Sequence, residues 1–461
     1  MKRMFLVVLS VVMMLTAFVA CNNDGQLGQN KSSQQNSSSD NTSSGKTNTS
    51  SLVDVTIPQL KDYGGKTFTF CFWQQPGDIM QQKIAAFNNS NNANLKVKVV
   101  ANFCEEVSQS VVNGKPFDIV AYSDTFYSPS FMENNLEVLN KYILDSDYSV
   151  AVWGEPYFSS YTGIHKEATE KFTYKGNIYS VVSSYSILPY VIYYNKELSS
   201  KYYEDAKAYD PYELWRNGKW DYDRLKQLSC ISNSSAAFDY IDLNVWLSIN
   251  GVSAVTRDGD SFSSALKNSK VTSALNSYRD LFYGSNACMK NNLSDFNARS
   301  SKSQTVYRIG TVEEYEELLK GYGNASANDL AKSNLGVVPL PQGMTADGKY
   351  PVQIARAYGS AKGAVDPTVA VIFALFESKY KNNTTMSAEV YNAAYEHTNP
   401  AYFEGFSGYN GGFLVKTGDD MSVSDCINRL GKLIAEGVPV SDAVDQIEVS
   451  LNKALKYEYV N

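Results

Sequence analysis

Aromatic and polar side chains are the residues of this sequence best suited to form a binding site. The chain of 461 residues contains 33 tyrosines, and Phe, Trp and Tyr together make up 13% of it. A tyrosine or tryptophan offers a flat apolar face with a polar tip, while Asp, Asn, Gln and Arg add directional hydrogen bonds. This combination suits a sugar ring, which has an apolar C–H side and a hydroxyl edge.

Groups for acid–base and metal chemistry are scarce. The two histidines, His165 and His397, lie far apart in the sequence, which leaves little material for a histidine zinc site or a His-paired nucleophile. No GxxxxGK[ST], GxGxxG, GxSxG or HExxH pattern occurs. The SxxK spacing at residues 264–267 lacks the SDN and KTG elements that would accompany it. We therefore expect no bound cofactor and no metal.

Carboxylates leave one catalytic chemistry open. The chain has 48 acidic residues, and a glycoside hydrolase needs two carboxylates at a fixed separation. The formal charge of -7 disfavours a nucleic-acid backbone or an anionic membrane surface as the main partner. A surface-anchored glycoside hydrolase is therefore kept as an alternative.

The first twenty residues are typical of a secretory signal peptide. Met1-Lys2-Arg3 gives a positive start, and an apolar run follows from 4 to 20. The run is short for a membrane span, which needs about 20 apolar residues. It ends Phe18-Val19-Ala20-Cys21, which resembles a bacterial lipobox, where Cys21 would be lipidated and become the mature N-terminus. The alternative is ordinary secretory cleavage beside an incidental cysteine.

Residues 21–51 would form the lipidated cysteine and a tether. The segment is almost wholly Ser, Asn, Gln, Thr, Gly, Asp and Lys, so it buries too little apolar surface to offset ordering entropy. We expect it to be disordered and to hold the folded body on the outer face of the cytoplasmic membrane, as suits a single-membrane bacterium.

Five further cysteines show no CxxC pair and no metal-ligand spacing. Their odd number leaves at least one thiol unpaired, and we expect most of them to be buried. Which of them pair, if any do, stays open. They are Cys71, Cys104, Cys230, Cys288 and Cys426.

Strands alternate with helices along the body, which should hold two or three domains. Residues 67–73 and 117–121 read as strands, and residues 95–99 alternate strictly, as a half-buried strand does. This order predicts an α/β fold with a mostly parallel sheet. Ligands bind at the carboxyl ends of such strands, where Trp73 and Asp124 are expected.

Several blocks in a fixed order resemble a family 1 extracellular solute-binding protein, the maltose-type binding lipoproteins of ABC importers. The block Tyr193-Tyr194-Asn195-Lys196 resembles the family's "YYNK" signature. The remaining blocks are residues 70–73 with 85–87, 114–120, 176–179, 217–225, 246–251 and 336–341. Together they cover nearly all of residues 67–457.

The resemblance implies a two-lobed, type II periplasmic-binding-protein-like fold whose discontinuous lobes are joined by a hinge. Lobe one would hold 52–185 plus 350–399, and lobe two 186–349 plus 400–461, with crossings near 183–190 and 341–353. The protein would be a monomer and no enzyme. It would capture a carbohydrate, an oligosaccharide above all, by hinge closure and deliver it to ABC permease subunits.

The ligand-binding candidates combine the strand-end positions with the places where the family has its cleft. Several of them could instead have a purely structural role. Trp73 could plug the sheet edge, Asp124 could cap a helix, and Trp246 could pack in the core. Arg356 could form an ion pair, and the loop 405–412 could be a plain connection. The candidates are Trp73, Gln74, Asp124, Tyr185, Trp246, Arg356, Tyr358, and Tyr409 in the loop 405–412. A carbohydrate-binding adhesin is a further alternative. The ligand itself stays open, since the family also includes binders of peptides, polyols, phosphorylated polyols and metals.

Overall fold

A computed structural model describes residues 60–123, 128–143, 166–201, 209–230, 237–283, 287–289, 296–300, 302–303, 305–320, 325–343, 350–380, 386–396, 398–403 and 421–459. Several sequence predictions fall outside these residues. They are the signal peptide 1–20, Cys21 and the tether to 51, Asp124, Tyr409 with its loop 405–412, and both histidines.

The strands and helices alternate along the described chain. The strands are β1 (Lys66–Phe72), β2 (Ala93–Val99), β3 (Ile119–Tyr122), β4 (Thr173–Tyr174), β5 (Asn177–Ile178), β6 (Ser180–Val181), β7 (Ile187–Asn195), β8 (Val255–Asp258), β9 (Ser261–Ser264), β10 (Tyr307–Thr311), β11 (Leu335–Pro339), β12 (Tyr350–Ile354), β13 (Ala357–Gly359) and β14 (Thr398–Phe403). The helices are α1 (Asp78–Ser90), α2 (Phe103–Val112), α3 (Pro129–Asn135), α4 (Asn140–Ile143), α5 (Lys166–Lys171), α6 (Lys196–Lys201), α7 (Pro211–Arg216), α8 (Tyr222–Cys230), α9 (Leu243–Ile249), α10 (Ser269–Tyr283), α11 (Glu314–Lys320), α12 (Ala325–Asn334), α13 (Thr368–Lys379), α14 (Ala388–Glu396), α15 (Val423–Ala435) and α16 (Val440–Tyr459).

The first five-stranded sheet, which we call sheet A, has the order β2-β1-β3-β13-β6. Strands β1, β2 and β3 run parallel, as predicted. Strand β13 is antiparallel to both β3 and β6. The sheet is therefore mixed, because the chain returns to it in the opposite direction after an excursion to the second sheet.

Helix α13 forms the apolar centre beneath sheet A. Its sequence TVAVIFALFESK is apolar on all sides, as expected of a fully buried helix. Phe373 packs edge-on against Phe70 of β1, with ring centroids 4.8 Å apart, and Phe376 packs on Phe87 of α1 at 5.2 Å. This packing carries one carboxylate of the helix, Glu377, into the interior.

The second sheet, sheet B, is built around β7, whose nine residues are all buried. Strand β7 pairs antiparallel with β10, β11 and β12, and β12 pairs with β14. The ring of Tyr194 on β7 lies over Gly336 of β11, where an added Cβ would come within 2.1 Å of it. A glycine is therefore needed at position 336 for β11 to pair closely with β7.

Within the described residues, two short connections lead directly from a strand of one sheet to a strand of the other. The first leaves β6 through residues 182–186, which include a 3-10 turn at Ser184–Ser186, and enters β7. The second returns from β12 to β13 through residues 355–356. The lobe boundaries at 185 and 350 stay predictions; residue 185 lies in the first connection, and residue 350 begins β12. Helix α14 packs on β7 and β11, so it belongs with sheet B although the prediction placed it in lobe one.

The C-terminal helices pack on α9, α10 and β9. Ser422 caps α15 in a capping box with Asp425, and Gly437 follows the helix with φ +96°, a left-handed conformation that glycine adopts readily. The last helix, α16, begins at Val440 and has Ser441 in its first turn.

Candidate ligand-binding site

A cleft of about 690 Å³ opens between the two sheets. Sheet A contributes the loop after β1 and the first turn of α1, and sheet B contributes the end of β10 and helix α11. The connection from β12 to β13 forms the floor. Lining residues include Trp73, Gln74, Gln75 and Asp78 on the first side, Thr311, Glu313, Glu316, Glu317 and Lys320 on the second, and Gln353 and Arg356 on the floor.

Trp73 and Gln74 follow the carboxyl end of β1 directly. Trp73 is half-buried against the core, while Gln74 is exposed. The chain turns between the end of β1 at Phe72 and the start of α1 at Asp78, and this turn leaves both side chains on the cleft wall. The structure therefore places an aromatic face and an amide side by side on the cleft wall, and their contact with a ligand stays a prediction.

Arg356 lies on the floor of the cleft between two carboxylates from different sheets. Its Nη2 is 3.3 Å from Glu313 Oε1 of sheet B, and its Nε is 3.7 Å from Glu377 Oε1 beneath sheet A. Burial alone would lower the pKa of Arg356, but Glu313, Tyr358 and Glu377 outweigh it and raise the pKa above the usual value. Arg356 is therefore a fixed positive charge at the junction of the sheets.

Beneath Arg356, Glu377 is the centre of a buried polar cluster. Lys83 Nζ donates to its Oε1 at 2.8 Å. Its Oε2 accepts from Tyr358 OH at 2.8 Å, from Ser186 Oγ at 3.0 Å and from Ser183 Oγ. Burial by itself would raise the pKa of Glu377, but the charges of Lys83 and Arg356 prevail and lower it to about 2. We call Lys83, Ser183, Ser186, Tyr358 and Glu377 the buried ionic cluster.

Tyr185 lies between this cluster and helix α14. Lys83 Nζ is 5.5 Å from the centroid of its half-buried ring. On α14, Tyr391 and Tyr395 lie with their ring centroids 4.7 Å apart. Burial raises the pKa of both tyrosines, and the charges of Tyr185 and Glu313 add to the rise. Tyr391 and Tyr395 therefore lie side by side on α14, and Tyr185 and Glu313 are near enough to influence both electrostatically.

Sequence reasoning missed Tyr391 and Tyr395, and it missed the acidic wall of α11. The signals were present: two tyrosines at i and i+4 on a helix share a face, and residues 313–317 read EEYEE. Glu314 accepts hydrogen bonds from Arg308 Nη2 at 2.7 Å and from the backbone N–H of Thr311 at 2.9 Å. Lys320 Nζ reaches across the cleft to Asp78 Oδ2 at 3.0 Å.

Besides Tyr185, which does not line this cleft, two further predicted site residues lie away from its surface. Trp246 is buried on α9, where its Nε1 donates to Ala274 O at 3.0 Å and its ring packs near Tyr278. It borders a separate cavity of about 270 Å³. Tyr358 is fully buried, because β13 is an inner strand of sheet A and its hydroxyl faces Glu377. We therefore leave both out of the proposed contact surface.

The described residues contain neither a candidate membrane-spanning helix nor a candidate metal site. No helix in these ranges is long and apolar enough to cross a membrane. Within the same ranges, no group of three or more His, Cys, Asp or Glu side chains is placed to hold a metal ion. The described cysteines Cys71, Cys104, Cys288 and Cys426 are buried, and no disulfide joins any two of them.

Solved structures similar to this chain include sugar-binding proteins of ABC transporters. The cyclic alpha-maltosyl-1,6-maltose binding protein from Arthrobacter globiformis aligns with TM-score 0.58 and 15% identity, over 85% of this chain and 99% of that one. The galacto-N-biose-/lacto-N-biose I-binding protein of the ABC transporter from Bifidobacterium longum aligns with TM-score 0.56 and 12% identity, over 86% and 98%. An extracellular solute-binding protein from Staphylococcus aureus in complex with maltose gives TM-score 0.56 and 11% identity, over 86% and 99%.

No family model and no curated protein matches the sequence. At these identities the likeness establishes the fold: the chain has the two-lobed periplasmic-binding-protein-like fold of ABC-transporter solute-binding proteins. The predicted fold class is thereby confirmed.

Proposed function

We propose that the chain is the substrate-binding lipoprotein of an ABC importer, and that it captures a carbohydrate in the cleft between its two sheets. The observation that carries the proposal is the placement of Trp73 and Gln74 on one wall, facing Glu313 on the other, with Arg356 and Gln353 between them. An aromatic face with amide, carboxylate and guanidinium groups around it supplies both kinds of contact that a sugar requires. Two of the similar structures are sugar-binding proteins by name, and a third is a solute-binding protein in complex with maltose, which supports the same class.

Capture would work by closure about the connections 182–186 and 355–356. A hinge of this kind has a few residues that change conformation while the bodies move rigidly. The ligand favours the closed state only to the extent that it touches both walls at once. Trp73 on the sheet A wall and Glu313 on the sheet B wall are the two contacts that we propose for this role. In the proposed cycle the closed, loaded protein delivers its sugar to the permease subunits and no bond is broken.

A thermal-shift screen of the mature chain against a sugar panel tests the proposal. A binder shows a rise in melting temperature that grows with sugar concentration. The incubated sugar is then examined by chromatography. Release of shorter products would contradict the binding function and favour a surface glycoside hydrolase instead.

Trp73→Ala tests whether the proposed cleft is the site. We expect binding of the best sugar to weaken by about tenfold or more, because a stacking face is lost. Trp73→Phe is the matched control, since it keeps an aromatic face and should retain most of the affinity. If Trp73→Ala lowers stability strongly and leaves affinity intact, Trp73 belongs to the core.

The membrane anchor is a separate part of the proposal and rests on the sequence Phe18-Val19-Ala20-Cys21. Cells that express the full chain with an alkyne fatty acid should give a labelled protein in the membrane fraction. Cys21→Ser should lose the label and release the protein. An unlabelled wild-type chain would favour ordinary secretory cleavage.

A further inference from the structure

Carboxylates outnumber cations among the lining residues of the cleft, and this affects which sugars the cleft can accept. The inference rests on the proposed function. Among the described lining residues, five carboxylates face two cations, Lys320 and Arg356. Both cations already have carboxylate partners: Lys320 pairs with Asp78 at 3.0 Å, and Arg356 pairs with Glu313 at 3.3 Å. A ligand therefore meets a wall with excess negative charge and no unengaged cation among these residues.

The two partners of the Arg356–Glu313 pair differ in their freedom to move. Arg356 is held from below by Glu377 at 3.7 Å, and Glu377 is itself fixed in the buried ionic cluster. The side chain of Arg356 is 13% exposed, whereas that of Glu313 is 47% exposed. Glu313 is thus the half of the pair that faces the cleft, and it covers a guanidinium that would otherwise be the natural partner of an anionic ligand.

We propose that Glu313 sets the charge selectivity of the cleft: by occupying Arg356 it makes the site reject sugars that carry a carboxylate and accept neutral or amine-bearing ones. Arg recognises carboxylates through a rigid fork of donors. A uronate reaching Arg356 would have to displace Glu313 and would meet the neighbouring carboxylates of Glu316 and Glu317, which line the same wall. Like charges brought together in this way disfavour the wrong ligand.

Glu313→Gln tests the inference, because it keeps the side-chain shape and removes the charge that neutralises Arg356. The matched control is Glu317→Gln, which removes one charge from the same wall and leaves the Arg356–Glu313 pair in place. The probes are a panel of neutral oligosaccharides including maltotriose, the glucosamine trimer as an amine-bearing sugar, and trigalacturonate as an acidic one. Binding is measured by calorimetry at low and high salt.

Wild-type protein should bind a neutral or amine-bearing probe and bind trigalacturonate at least tenfold more weakly. Glu313→Gln should tighten trigalacturonate binding by tenfold or more, and the gain should shrink at high salt. Glu317→Gln should tighten it by no more than about threefold, since only the general charge of the wall has changed. Adding Arg356→Gln to Glu313→Gln should remove the gain.

Other results would overturn the inference in distinguishable ways. If wild-type protein binds trigalacturonate as well as the neutral sugars, or if both Gln variants gain equally, then Glu313 does not set the selectivity, although the carbohydrate-binding function stands. If no probe of any charge binds to wild-type protein, the proposed function fails and the inference fails with it.

Discussion

Two lysine–carboxylate pairs of nearly equal length lie on either side of the cleft surface. Lys83 and Glu377 are 2.8 Å apart beneath the floor, with side chains only 1% and 0% exposed. Lys320 and Asp78 are 3.0 Å apart across the cleft, with side chains 57% and 72% exposed. The same contact therefore occurs once inside the protein and once in water, and only the surroundings differ.

The comparison shows that burial, and not contact distance, decides how much such a pair contributes to the stability of the fold. In the interior each charge has lost its hydration, so the pair is tolerated because Ser183, Ser186 and Tyr358 supply further hydrogen bonds to Glu377. In water the same attraction is screened and contributes little to stability. The buried pair should therefore govern folding, and the exposed pair should affect only the motion of the walls that it joins.

The largest effect is expected from Glu377→Gln. The variant leaves Lys83 buried without an opposite charge, and we expect the free energy of unfolding to fall by about 3–5 kcal/mol. Urea denaturation measures the change. The double variant Lys83→Met with Glu377→Leu is the control, because it removes both charges and fills the space with apolar groups; it should be closer to wild type than the single variant. A single variant within about 1 kcal/mol of wild type would show that the buried pair is no more important than a surface pair.

Acid should reduce the difference between wild type and Glu377→Gln. The pKa of Glu377 is lowered to about 2 in the folded protein, while an unfolded glutamate titrates near pH 4.3. The stability from the ionised carboxylate is therefore present above about pH 4.3 and is lost as the pH falls towards 2. Urea midpoints at intervals from pH 6 to pH 2.5 should converge in the acid range. A gap that stays constant would mean that Glu377 does not carry this charge.

A smaller effect is expected from Tyr358→Phe, which removes one hydrogen bond to Glu377. Losing a hydrogen bond to a charged, buried acceptor should cost about 1–3 kcal/mol. Sugar affinity should hardly change, because the ring is fully buried. A loss of affinity at unchanged stability would return Tyr358 to the ligand site that the sequence predicted for it.

The contrast between Trp73 and Trp246 shows which features of the structure could be predicted from the sequence. Trp73 was predicted at the cleft because it ends a strand, and the ends of parallel strands lie at one edge of a sheet. Trp246 lies on a helix, where local sequence does not say which partners cover the residue, and α10 covers it here. The order of strands and helices was therefore readable, whereas contacts between distant segments were not.

The buried ionic cluster was out of reach for the same reason. Lys83 and Glu377 are 294 residues apart, and no local pattern links them. One local signal did exist. Glu377 directly follows the apolar run 369–376 of α13, which indicates a buried position, and a buried carboxylate requires a partner. The sequence therefore contained the need for a cation but not its identity.

The smallest stability effect should come from Lys320→Ala, which breaks the exposed pair. We expect the free energy of unfolding to change by less than about 1 kcal/mol. Because the pair joins α1 to α11 across the cleft, its loss should favour opening and weaken sugar binding by up to about fivefold. Lys267→Ala is the control, since Lys267 and Asp445 form a similarly exposed pair of 3.1 Å that does not line the cleft. Calorimetric titration should show weaker sugar binding for Lys320→Ala and an unchanged affinity for Lys267→Ala. Raising the salt concentration should bring the affinity of wild type closer to that of Lys320→Ala. Equal affinities for both variants would mean that the exposed pair takes no part in closure, and the functional difference between the two lysine pairs would then reduce to stability alone.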